Sequence, residues 1–112
     1  MAKRRAGAPR PLKSTEYVIH LATREAEKGW MDVVATQRNA VADAWDRLTK
    51  EPRRSDQKCH QLKGELAYVV RAGARYEQWQ YELNAGARVW YYVDGDAVHV
   101  MRVFTAHPNQ TK

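Results

Sequence analysis

Two β-rich runs joined by Asp94-Gly95-Asp96 constrain this chain more than any other feature. The first run is Ala87-Arg88-Val89-Trp90-Tyr91-Tyr92-Val93, and the second runs from Ala97 to His107. Asp-Gly between such runs predicts a tight hairpin, because glycine accepts the positive φ of a primed turn. A loop centred on Asp94-Gly95 pairs Arg88 with Met101; centred on Gly95-Asp96, it pairs Arg88 with Val103. Side chains alternate faces along a strand. Either register therefore puts Arg88 on one face with Met101, Val103, Thr105 and, if the strand extends, His107. A permanent cation would then share a face with a group that titrates near neutrality. That pairing suits an anionic substrate that needs a proton moved.

Composition narrows the classes. At 112 residues the chain reads as one domain, large enough for a modest core without disulfides. Its single cysteine, Cys59, excludes an internal disulfide framework and fits a reducing compartment, so a cytoplasmic location is expected. No apolar run approaches the ~20 residues of a membrane span. The basic start Met1-Ala2-Lys3-Arg4-Arg5 leads into Ala8-Pro9-Arg10-Pro11-Leu12, which is no secretory core. A formal net charge of +6 argues for a polyanionic partner, either nucleic acid or an acidic protein.

Residues 1–15 predict a flexible basic arm, and residues 16–112 a single domain. A strand is expected at residues 17–21. Residues 24–50 carry Trp30, Val33, Val34, Val41, Ala44, Trp45 and Leu48 at helical spacing, with Trp30 and Trp45 assigned to the core. Gly29 and residues 36–39 are weak enough to divide that stretch into two helices. Pro52 stops the helix, and residues 53–58 form a charged loop. Strands are expected at 66–70 and 76–83, around a glycine turn at 71–75. In the second of these, Trp79, Tyr81 and Leu83 alternate with Gln78, Gln80 and Glu82, which sets a core face against an exposed one. The sum is an α+β fold: an N-terminal strand and a helical pair packed on a C-terminal antiparallel sheet of three to four strands.

Leu62-Lys63-Gly64-Glu65-Leu66 after a helical pair, then Gly86-Ala87-Arg88-Val89-Trp90-Tyr91, an Asp-Gly turn and a last strand ending in His107 resemble the RelE/ParE toxin superfamily. The likeness spans about residues 17–108 in element order, through short motifs. It implies a RelE-like fold and a ribosome-dependent, metal-independent endoribonuclease that cleaves messenger RNA and inhibits translation. It also implies a toxin–antitoxin pair, with an acidic antitoxin encoded nearby. Arg88 would bind the phosphate or stabilise the transition state, and His107 would serve as general acid or base. Two departures stand out. Pro108 follows the histidine where many members place tyrosine or arginine, and Gln78 and Gln80 replace lysines that some members carry.

The chemistry can be stated without the family. Cleaving RNA without metal takes a base for the 2′-hydroxyl, a charge stabiliser at the phosphate and an acid for the leaving 5′-oxygen. His107 can be acid or base, the Arg88 fork matches two phosphate oxygens, and Glu82 or Glu77 is a second proton acceptor. Lys63, Arg75, Arg102 and Lys112 are further candidate phosphate contacts, and Trp90 and Tyr92 are exposed rings for unpaired bases. Plainer roles compete: Arg88 paired with Glu82 across the sheet, His107 in a frayed end, Trp90 and Tyr92 in the core. If those two rings are core, Val89, Tyr91 and Val93 face outward. No Cys-x-x-Cys or His-x-x-x-His spacing and no phosphate-cradling glycine loop occurs, so neither metal nor cofactor is expected. Two alternatives stay open: a toxin of the same fold that acts by protein binding, as gyrase inhibitors do, and a non-catalytic nucleic-acid-binding domain.

Overall fold

The structure, a computed structural model, describes residues 11, 13–84 and 86–105. Strand β1 (Val18–Leu21) leads into helices α1 (Arg24–Thr36) and α2 (Arg38–Lys50). Next come β2 (Cys59–Gln61), a short 3-10 turn at Gly64–Leu66, and β3 (Tyr68–Arg71). Four strands close the fold's sequence: β4 (Ala74–Glu77), β5 (Trp79–Glu82), β6 (Arg88–Asp94) and β7 (Ala97–Phe104). A five-stranded sheet runs β1-β7-β6-β5-β2, and β3 and β4 make a separate two-stranded hairpin. The expected antiparallel sheet is present, but β1 joins β7 in parallel, so the sheet is mixed. Among the described residues no helix is long and apolar enough to cross a membrane.

Thr23 starts α1 by accepting from the Ala26 amide at 2.9 Å, an ordinary N-cap that satisfies one donor of the first turn. The helix runs through Gly29, which is a packing site and not a break. A Cβ there would lie 2.3 Å from the carbonyl oxygen of Val103, so α1 approaches β7 closely enough that only glycine fits. The division between the helices falls at Gln37, whose φ of −141° is not helical. Helix α2 buries Val41, Ala44, Leu48 and Thr49. Of the two tryptophans assigned to the core, Trp30 packs against it and Trp45 departs from expectation. Trp30 is half-buried and meets Trp45 edge-on at 6.4 Å, while Trp45 remains 38% exposed at the margin of the core.

The core lies between the helices and one sheet face. Trp79, Tyr81 and Leu83 point into it as their alternation predicts, joined by Val89, Tyr91, Val93, Val98, Val100 and Val103. Tyr91 is fully buried; its hydroxyl donates to the Pro52 carbonyl at 2.6 Å and lies 3.0 Å from Cys59 Sγ. Burial pushes the Cys59 thiol up, which favours the neutral form of this buried core cysteine.

Residues 53–58 are more ordered than a charged loop needs to be. Arg47 Nη1 pairs with Asp56 Oδ2 at 2.8 Å, and Asp56 Oδ1 also accepts from the Lys58 and Cys59 amides. Those bonds, with the guanidinium first, hold the Asp56 carboxyl down at about 2. The loop thereby delivers β2, a strand the sequence pattern hid, to the edge beside β5. Leu66 proves to belong to the 3-10 turn and not to a strand. The stretch 76–83 splits at Gln78, which is buried and not exposed. Its amide donates to Ala67 O and its side chain to Leu66 O, both at 2.9 Å, and this steers the chain from the small hairpin into the main sheet.

Candidate functional site

The register of β6 against β7 decides which side chains share the open face, opposite the helices. Asp94 pairs with Ala97, so the two-residue loop is Gly95-Asp96, one of the two expected centres, and Gly95 has a φ of +61°. Pairing proceeds through Tyr92–His99 and Tyr91–Val100, then shifts: Trp90 faces Arg102, and Met101 is left as an extra residue. Such a bulge exchanges the faces of everything beyond it. Arg88 therefore pairs with Phe104, not with Met101 or Val103, and Val103 turns into the core. The expectation that Arg88 shares a face with Val103 fails for this reason, and Thr105 lies past the end of β7. The bulge is held from outside the sheet: Thr23 Oγ1 donates to the Met101 carbonyl at 2.7 Å, and the Ala22 amide donates to Val100 O at 2.8 Å.

Arg88, Glu82, Trp90, Arg102 and Phe104 come together on the open side of the sheet. Arg88 Nη1 donates to Gln80 Oε1 at 3.2 Å, and Trp90 Nε1 donates to the same oxygen at 2.9 Å. A neutral amide thus orients the guanidinium and leaves its charge intact. Arg88 Nε is buried without an acceptor among the described residues. Glu82 pairs with Arg88 in the backbone register, yet no ion pair joins their side chains among the described residues, so the cross-strand salt bridge is not formed. The Trp90 ring meets Phe104 edge-on at 4.8 Å, and the Arg102 guanidinium lies 4.9 Å from the Phe104 centroid. Two cations and two rings therefore alternate in one patch, an arrangement that offers charge to phosphate and π-faces to bases.

The remaining expected residues separate. Tyr92 lies on the open side but is only 6% exposed, because Tyr76 of the small hairpin stacks on one face of its ring and His99 on the other. It is not a free ring. Arg75 sits over Tyr68 at 3.8 Å on that hairpin, and Lys63 is exposed before the 3-10 turn, so neither joins the Arg88 patch. Glu77, exposed at the end of β4, pairs with Tyr68 and stands apart too. His107, Lys112 and nearly all of the basic arm lie outside the described residues.

Three residues of the open face were not foreseen. Gln80 anchors both Arg88 and Trp90, Phe104 arrives through the bulge, and His60 reaches this face because β2 pairs it with Gln80. The alternation of residues 78–82 marked Gln80 as outward-facing but could not name its partners. Farther along the sheet, His99 is held below the ordinary histidine range, first by burial and then by the charge of His20, with Arg71 acting in the same sense and Asp94 against it. No group of three or more potential metal ligands occurs among the described residues. Comparison with known proteins finds no matching family model, no matching curated protein and no matching solved structure.

Proposed function

We propose that this chain is a RelE-type toxin, a metal-independent endoribonuclease that cleaves messenger RNA on the ribosome in the cytoplasm and is silenced by an acidic antitoxin. The observation that carries the reading is the Arg88 patch: a guanidinium held by a neutral amide, beside a carboxylate, Glu82, that forms no ion pair among the described residues, with two rings and a second cation. The order of strand, helical pair and antiparallel strands is also the order the resemblance implies.

In this reading Arg88 grips two oxygens of the scissile phosphate, and its charge stabilises the oxyanion as the 2′-oxygen attacks phosphorus. Glu82 or His107 takes the 2′-proton, the bond to the 5′-oxygen breaks, and the other group returns a proton to that oxygen. The products are a 2′,3′-cyclic phosphate and a free 5′-hydroxyl. Trp90 and Phe104 hold the flanking base, and Arg102 the next phosphate. The antitoxin would cover this basic face with an acidic, apolar segment that folds as it binds.

A non-catalytic RNA-binding role draws on one observation. Among the described residues, no acid–base side chain is hydrogen-bonded within the Arg88 patch. Primer extension on ribosome-bound message separates the two. Cleavage should persist in EDTA at concentrations that spare the ribosomes, vanish in Arg88→Ala and not return in Arg88→Lys, since a point charge cannot replace the fork. His107→Gln should lower single-turnover cleavage by roughly two to four orders of magnitude, the usual worth of a general acid or base. Loss of cleavage in EDTA, or full cleavage by both Arg88→Ala and His107→Gln, would defeat the nuclease.

A further inference from the structure

Four rings stack in series across the open face, and the series ends at an exposed histidine. Tyr76 of β4 lies 4.6 Å from Tyr92 of β6, Tyr92 4.8 Å from His99 of β7, and His99 5.3 Å from His20 of β1. The planes differ by only 27°, 14° and 23°. The sheet explains the order: His20, His99 and Tyr92 are register partners on adjacent strands, and strand spacing of about 4.8 Å is close to a stacking distance. Nothing in the Arg88 patch uses this ladder. At one end Tyr76 is tied by its hydroxyl to Asp94 Oδ2 at 3.2 Å. At the other end, β1 is the edge of the sheet, and among the described residues no ring stacks on His20 except His99.

We propose that His20 is a second RNA subsite, where an unpaired nucleobase stacks on the outer face of the imidazole and becomes the fifth ring of the ladder. Two observations favour a nucleobase over an aromatic side chain from a protein. The chain carries a net charge of +6, and the Arg88 patch on the same face alternates cations with rings. Bases stack on flat rings without regard to sequence, so this subsite contributes affinity and not codon choice. The ladder also orders His20 before RNA arrives, which reduces the entropy lost on binding. Arg88 and Tyr92 are four residues apart on β6 and His20 lies two strands across from Tyr92, so the two subsites lie roughly 16 Å apart, a gap that a single strand can bridge. The proposal rests on the reading that the open face takes RNA, but it does not need cleavage.

The test is fluorescence anisotropy with a labelled 2′-O-methyl hexanucleotide, which has no free 2′-hydroxyl to attack and so reports binding alone. His20→Ala should weaken binding by roughly tenfold, the usual worth of one stacked base, while His20→Phe should stay within about twofold of the native chain. Because the subsites are well separated, the fold-losses of His20→Ala and Arg88→Ala should multiply in the double variant. Thermal melting reads folding independently, and His20 is exposed on an edge strand, so both variants should melt with the native chain. Native affinity in His20→Ala, equal losses in His20→Ala and His20→Phe, or no micromolar binding by the native chain would each overturn the subsite. Intact binding without cleavage of ribosome-bound message would overturn the nuclease and leave the subsite standing.

Discussion

The two faces of β6 are built from one strand under one alternation rule, and they answer to different demands. Val89, Tyr91 and Val93 face the helices and are closed to solvent, and the one polar atom among their side chains, the Tyr91 hydroxyl, is satisfied by Pro52 and Cys59. On the other side, Arg88 has a buried Nε without an acceptor, Trp90 shares an acceptor with it, and Glu82 opposite Arg88 makes no ion pair among the described residues. On β6 the helix side satisfies its one polar group internally, although Trp79 Nε1 of β5 is buried there without a partner among the described residues. The open side holds charge and rings in place, and no ion pair reaches Arg88 among the described residues. A core residue is therefore expected to govern stability, and an open-face residue to govern RNA, with little overlap.

The largest effect should come from the core. Tyr91→Ala empties the biggest fully buried site and should cost about 3–5 kcal/mol in urea unfolding, whereas Arg88→Ala should stay within about 0.5 kcal/mol. Equal losses would erase the contrast between the faces. Gly29→Ala comes next. Its Cβ would press on the Val103 backbone, which cannot swing aside as a side chain can, so about 2–3 kcal/mol is expected on the same assay. Because Val103 is fixed just beyond the bulge, this variant also asks whether α1 sets the faces of β7; restored register with full RNA binding at no stability cost would say it does not.

A smaller change sharpens the open side. Gln80→Glu keeps the shape of the anchor but gives Arg88 a charged partner, and RNA affinity should fall about fivefold with melting nearly unchanged, the scale of an exposed ion pair. An affinity gain would mean that the neutral amide is incidental. The smallest effect is the pH response of the ladder. Folded His99 takes up its proton less readily than an unfolded histidine, whose reference value is 6.5, so below that value the unfolded chain binds more protons and stability falls as pH falls. The loss ends once the pH passes below the lowered folded value. Melting should be lower at pH 5.5 than at pH 7.5 (roughly one unit either side of the reference), and His99→Phe should flatten that difference. Asp56 titrates in a separate window, between its reference of 3.8 and about 2, where its bonds to Arg47 and the Lys58 amide are lost on protonation.

Local signals in the chain sufficed for much of this. The Gly95-Asp96 turn needs only a glycine and its two neighbours, the alternation at Trp79, Tyr81 and Leu83 needs only the period of a strand, and the helical pair divides where residues 36–39 weaken. That Arg88 and Trp90 share a face was legible from the period of a strand alone, and both prove half-buried on the open side. His107 and Lys112 lie outside the described residues, so that half of the expected site stays an expectation.

What the tertiary structure alone decided are the contacts between residues far apart in sequence. No local rule places an extra residue at Met101; it sits there because Thr23, across 78 residues, takes up the carbonyl that the bulge frees. That one residue changes Arg88's neighbour from Val103 to Phe104, since a strand has a period of two and any insertion reverses the faces beyond it. The parallel docking of β1, which lines up His20 with His99, and the edge pairing of β2, which brings His60 beside Gln80, are likewise long-range choices. The sequence by itself determined the hairpin strands and the wet and dry sides of residues 79–83; β2, the split at Gln78 and which wet residues meet were settled only when distant strands paired and a helix cap fixed the slip between them.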